Sequence, residues 1–189
     1  MGRIIVEQII SADGFAAAPD GSLDFFQLPG DFDSTDPGQM AMLERVDAIL
    51  LGANTYRMFA AYWPTADESA DPVAGPINAL PKHVVSSTLE SAPWGTWPPA
   101  QVERGDGVEI ARALARRYEG DVIVWGSLQL AAALLAADAV DSLRLRVVPV
   151  LIGAGLALAP GLRTFTPLAL DSVDAFPSGH VTLAYDLRR

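Results

Sequence analysis

Three short polar clusters are the places where this chain could hold a ligand: Gly52-Ala53-Asn54-Thr55, Ser86-Ser87-Thr88 and Gly126-Ser127. Each follows an apolar run. A glycine at such a point lets another backbone or a ligand approach closely. A helix that starts there offers free N–H groups and the positive end of its dipole, a setting that suits phosphate or pyrophosphate. Taken singly, each cluster also reads as an ordinary helix cap or turn. At the ends of parallel strands the three would share one sheet edge and suit a ligand with several phosphates, such as a dinucleotide.

Other chemistries find less support. His83 and His180 are the only histidines, and neither has a partner at metal-ligand spacing. Cysteine is absent, which removes thiolate metal sites, disulfides and a cysteine nucleophile. There is no G-x-S-x-G elbow and no G-x-x-x-x-G-K-[ST] loop. Asp13, Asp24 and Asp36 are the carboxylates near the clusters. Asp13 also suits its Asp-Gly turn, and Asp36 also suits a helix cap before Pro37.

The elements that must position these residues are legible in the hydrophobic pattern. Asp121–Gly155 is the most informative stretch. Val122–Trp125 is a continuous apolar run, as expected of a strand covered on both faces. Gly126-Ser127 ends it, with Ser127 expected as the N-cap of an Ala/Leu-rich helix that runs to about Ala137. A strand over Leu143–Val150 follows. Upstream, strands are expected at Arg3–Ile10, Ala48–Leu51 and His83–Ser87, with a short one at Val102-Glu103. Helices are expected from Pro37 to about Asp47, from Tyr56 to about Ala60, and over Val108–Tyr118. Residues 15–35 read as a long excursion able to cover a site, and residues 65–76 read as a loop. Leu168–Phe176 and Val181–Leu187 form a hairpin through Pro177-Ser178-Gly179.

Alternating strands and helices predict an α/β fold of three layers, α/β/α. The sheet is mostly parallel, with helices on both faces and a C-terminal antiparallel hairpin at one edge. The 189 residues suit one domain, 1–189. A composition of 50% hydrophobic and 19% charged residues is globular rather than disordered. No apolar run reaches the length of a membrane span, and no signal peptide is recognisable, so a cytoplasmic location is expected. A formal net charge of −10 argues against nucleic acid as a partner.

In this order and over nearly the whole chain, the motifs resemble the dihydrofolate reductase superfamily. They are Ser11-Ala12-Asp13-Gly14, Leu51-Gly52 with Asn54-Thr55-Tyr56, Tyr62-Trp63-Pro64, Asn78–Lys82, Val84–Leu89, Val124–Ser127, and Pro149-Val150-Leu151 with Gly153 and Gly155. The chain is most similar to the riboflavin-biosynthesis reductase domain, the C-terminal part of the bifunctional deaminase-reductase. The resemblance implies a dihydrofolate-reductase-like fold that binds NADPH. It places Gly52, Asn54 and Thr55 on the cofactor phosphates and Ser86 and Ser87 near the adenosine 2′-phosphate. It places Gly126, Ser127, Leu128 and Gln129 on the pyrophosphate. Relatives often carry an arginine directly after the glycine at 52, where this chain has Ala53. Arg57, Lys82 and Arg104 are the candidates to compensate.

The expected activity is reduction of a small heterocyclic or carbonyl substrate, pterin-like or ribosylaminopyrimidine-like, with Asp13, Asp36 or a water supplying the proton. Two alternatives stand beside it: an NADP(H)-binding protein of this fold with little turnover, and a dimeric scaffold. The resemblance also implies a homodimer, and the apolar strand Leu143–Val150 with the Pro/Gly-rich segment after it could form such an interface.

Overall fold

The computed structural model describes residues 1–27, 37–160, 162 and 165–187. Its centre is an eight-stranded sheet in the order β5-β4-β3-β6-β1-β7-β10-β9. The strands are β1 Ile4–Ser11, β3 Val46–Gly52, β4 Lys82–Val85, β5 Gln101–Glu103, β6 Asp121–Trp125, β7 Ser142–Val148, β9 Leu168–Ala175 and β10 Val181–Leu187. The first six in space run parallel. β10 is antiparallel to β7, and β9 to β10, so the predicted hairpin forms one edge. A two-stranded pair, β2 Phe15–Ala17 with β8 Leu156–Ala157, stands apart from the sheet.

Both faces of the parallel part are covered, as the unbroken apolar runs of β3 and β6 require. On one face lie α4 Gly107–Arg117 and α5 Leu128–Ala136. They pack Leu114, Leu130 and Leu134 onto Val6, Leu50 and Val124. On the other lie α1 Pro37–Leu43, α2 Ala53–Tyr62 and α3 Ala74–Ala79. They pack Met42, Tyr56 and Ile77 onto Ile5, Ile49 and Ile123. Alternate residues of each strand thus feed two separate cores.

The structure corrects several sequence expectations. The first helix ends at Leu43 rather than near Asp47, and Val46 and Asp47 already belong to β3. α2 is longer than expected, spanning Ala53–Tyr62. β4 stops at Val85, so Ser86 and Ser87 lie in the loop beyond it. Residues 65–76 are not all loop, because α3 begins at Ala74. β7 is an interior strand, paired with β1 on one side and β10 on the other. Residues 28–36 of the expected excursion, Asp36 among them, lie outside the described residues.

Candidate active site

A cleft of about 950 Å³ opens along the carboxyl ends of the parallel strands. Its walls take in Gly52, Asn54, Thr55, Ser86, Ser87, Gly126, Ser127, Leu128 and Gln129. The topology brings these residues together. Gly52 ends β3 beside Val85, the last residue of β4, and Trp125 ends β6 beside Glu7 of β1.

The bend at Gly126-Ser127 is built from two successive left-handed residues, with φ of +54° and +52°. Glycine adopts this at little cost, whereas serine pays roughly 1–2 kcal/mol. Three hydrogen bonds hold Ser127 in place. Its N–H donates to Thr55 Oγ1 at 2.9 Å, its hydroxyl donates to the Trp125 carbonyl at 2.9 Å, and its Oγ accepts from the Gly52 N–H at 2.8 Å. Ser127 therefore does not cap α5 with its side chain, contrary to the sequence expectation. It ties the end of β6 to the start of α2.

The consequence lies at the helix ends. Neither α2 nor α5 has a side-chain cap. The first-turn N–H groups of a helix have no intrahelical acceptor. Two uncapped, positively polarised N-termini thus open on one cleft, which suits the paired phosphates of a dinucleotide. α4 differs. Asp106 Oδ1 accepts from the N–H groups of Val108 at 2.9 Å and Glu109 at 3.0 Å, so that end already holds a carboxylate.

Asp13 is not among the cleft walls. Its carboxylate accepts from the Ser11 hydroxyl at 2.6 Å and from the N–H groups of Gly153 at 2.7 Å and Ile152 at 3.3 Å. The Ser11 hydroxyl, more than any other group, holds its pKa below the usual carboxylate value, and the two N–H groups add to this. Asp13 fastens the end of β1 to the turn after β7. Asp24 is exposed, on a short 3-10 turn at Asp24–Gln27.

One carboxylate of the cleft walls, Glu7, is buried to 4% exposure. Its Oε1 accepts from Gln39 Nε2 at 3.1 Å and Trp125 Nε1 at 2.8 Å, and its Oε2 accepts from Arg144 Nε at 3.0 Å. These partners only donate, so Glu7 is an ionised acceptor. Sequence reasoning passed over it, although a lone acid inside the apolar run RIIVEQII was a signal. Gln39, Trp125 and Arg146 were passed over as well and also line the cleft. Next to Glu7 the wall is aromatic: the Phe59 ring lies 6.0 Å from both Trp63 and Trp125. One end of the cleft is thus flat-walled and apolar around a fixed charge. The other is built of serines, glycines and helix ends. Among the described residues, no group of three or more histidines and carboxylates is placed to hold a metal.

The model of the RibD C-terminal domain matches residues 3–182. The chain belongs to this family. The uncharacterized protein YyaP of Bacillus subtilis is 23% identical over 185 residues, covering 97% of this chain and 94% of its own. Among solved structures, a Shewanella sp. PV-4 protein provisionally assigned to riboflavin biosynthesis has a TM-score of 0.78 at 23% identity, with 99% of each chain covered. A dihydrofolate reductase from Enterococcus faecalis, solved with NADP(H), has a TM-score of 0.59 at 14% identity and covers 100% of this chain and 98% of its own. The RibD C-terminal domain fold and its dihydrofolate-reductase-like architecture agree with the sequence reading.

Proposed function

We propose that this RibD C-terminal domain protein is a reductase that binds a reduced nicotinamide dinucleotide along the carboxyl edge of its sheet. Its substrate is a small heterocycle or carbonyl compound, pterin-like or ribosylaminopyrimidine-like. The observation that carries this reading is the convergence of two uncapped helix N-termini on a cleft whose other end is aromatic. The N–H groups of Leu128 and Gln129, with those of Asn54 and Thr55, hold the pyrophosphate. Gly52 and Gly126 keep the approach open, since a Cβ at Gly126 would sit 3.2 Å from Thr55. Ser127 fixes the two helix ends relative to each other. Ser86 and Ser87 border the adenosine end. NADPH is the form the resemblance implies. The parts it shares with NADH, the pyrophosphate and the two nucleosides, are the parts these residues suit.

When bound, the dihydronicotinamide supplies the hydride. Phe59, Trp63 and Trp125 stack a flat substrate against it and exclude water. Glu7, ionised, orients an N–H of the substrate and does not give up a proton. Asp13 is committed to its turn, which leaves Asp36 or a water as the proton source. Titration of the purified chain with NADH and NADPH, followed by nicotinamide fluorescence, tests the binding. Saturable binding of at least one supports the reading; binding of neither refutes it. Substrate-dependent oxidation of the bound dinucleotide separates the reductase from a binding protein with little turnover. Ala53, in place of the arginine of relatives, favours that second reading.

The protein is further proposed to pair with a second copy. β9 is a long, exposed edge strand, and Leu168, Leu170 and Val173 on it are 40–58% exposed. Such an edge invites pairing.

A further inference from the structure

We infer that the cleft prefers the dinucleotide without a 2′-phosphate, NADH over NADPH, and that Asp106 sets the preference. The inference rests on the dinucleotide reading above. Among the described residues, the charged side chains in the cleft walls are Glu7, Asp71, Asp106 and Arg146, three acids and one base. The one base is at the wrong end. Arg146 is on β7, four strands across the sheet from β4, where the serines lie. At roughly 4.8 Å per strand that is about 19 Å. The chain as a whole carries −10, so its long-range field also opposes an added phosphate.

The three cations that could compensate, Arg57, Lys82 and Arg104, have other duties. Both terminal nitrogens of Arg104 donate to backbone carbonyls, those of Ser86 and Leu89. Arg57 donates to Asn54 Oδ1 at 2.9 Å. Lys82 begins β4, at the opposite edge of the sheet, and donates to the carbonyls of Asn78 and Leu80, each at 2.6 Å. None of the three lines the cleft.

Two neutral donors of the loop are committed too: the N–H groups of Thr88 and Leu89 donate to Ser86 Oγ at 3.2 Å and 3.0 Å. The N-terminus of α4, the remaining place for a phosphate, is filled by Asp106 Oδ1. The other oxygen of Asp106 makes no bond among the described residues. An ionised carboxylate there accepts a ribose hydroxyl and repels a phosphate, the logic by which dinucleotide sites tell the two cofactors apart.

The test compares dissociation constants of NADH and NADPH by nicotinamide fluorescence, for the full chain and for Asp106→Asn and Asp106→Ser. Both substitutions keep a capping side chain and remove the charge. The wild-type chain is expected to bind NADH at least threefold more tightly. Each substitution should raise NADPH affinity by about three- to tenfold, as expected for removing one charge several ångströms from a phosphate in water, and should weaken NADH, which loses the charged acceptor of its ribose hydroxyl. Tighter wild-type binding of NADPH overturns the inference and leaves the dinucleotide reading intact. An unchanged NADPH affinity in both folded variants overturns the role of Asp106. Binding of neither dinucleotide to the wild-type chain overturns both the inference and the reading beneath it.

Discussion

Ser127 is where local strain and site architecture meet. A non-glycine residue at φ +52° persists because three hydrogen bonds fix it. Ser127→Ala removes two of them and leaves the Gly52 N–H without its acceptor. We expect a loss of about 1–3 kcal/mol in chemical denaturation, with weaker dinucleotide binding. Glu7 makes a sharper case. Its pair with Arg144 is buried on both sides, with side-chain exposures of 5% and 8%. Glu7→Leu alone strands the arginine and should cost about 3–5 kcal/mol. Glu7→Leu with Arg144→Met should recover most of that stability while leaving substrate turnover impaired. If the double variant turned over substrate normally, Glu7 would be structural only. The residue scale is also where the sequence was hardest to read. Small polar residues at strand ends marked the cleft wall, because only they permit close approach. Glu7 was hidden inside a strand, and its partners on α1, β6 and β7 come from distant parts of the chain.

At the scale of elements, strands and long helices were legible because their apolar periodicity is strong. α4 shows why: Ala111, Leu114 and Ala115 face the core while Arg116 and Arg117 face away. α3 was not legible. It has six residues, includes Gly75 and Pro76, and follows an Asp/Pro-rich stretch, so no periodic signal develops. The β2–β8 pair joins residues far apart in sequence and too short to show alternation. The capping of Ser127 was misjudged because residue type favours a cap, whereas the left-handed bend turns the hydroxyl toward Gly52. β4 carries an element-level prediction through Lys82, whose pKa burial lowers to about 8. A lysine with a folded pKa below its unfolded value of 10.5 binds fewer protons when folded between those two values. Its charged form therefore penalises the fold below about pH 8, and the penalty is relieved as pH rises toward 10.5. Denaturant melts of wild type and Lys82→Met should show the wild-type stability gaining on the variant between pH 8 and 10. A constant difference would contradict the assignment.

For the whole molecule, the doubly covered parallel sheet follows from the alternation of elements, and the hairpin edge from the Pro-Ser-Gly turn. The expected interface at β7 did not account for β10, which pairs along it. The exposed apolar residues lie one strand further out, on β9. Leu170→Lys with Val173→Lys should shift a dimer to monomer in sedimentation without lowering the melting temperature of the monomer. Among the described residues, no helix is long and apolar enough to cross a membrane. The central claim, that two helix N-termini on this sheet edge hold a dinucleotide, is met most directly by a crystal structure of the chain with its tighter-binding reduced nicotinamide dinucleotide. The account predicts the pyrophosphate within hydrogen-bond distance of the N–H groups of Leu128 and Gln129 and beside Asn54 and Thr55, with the nicotinamide toward Trp125 and Glu7. A dinucleotide bound away from these helix ends, or lying with its nicotinamide at Ser86 and Ser87, would contradict it.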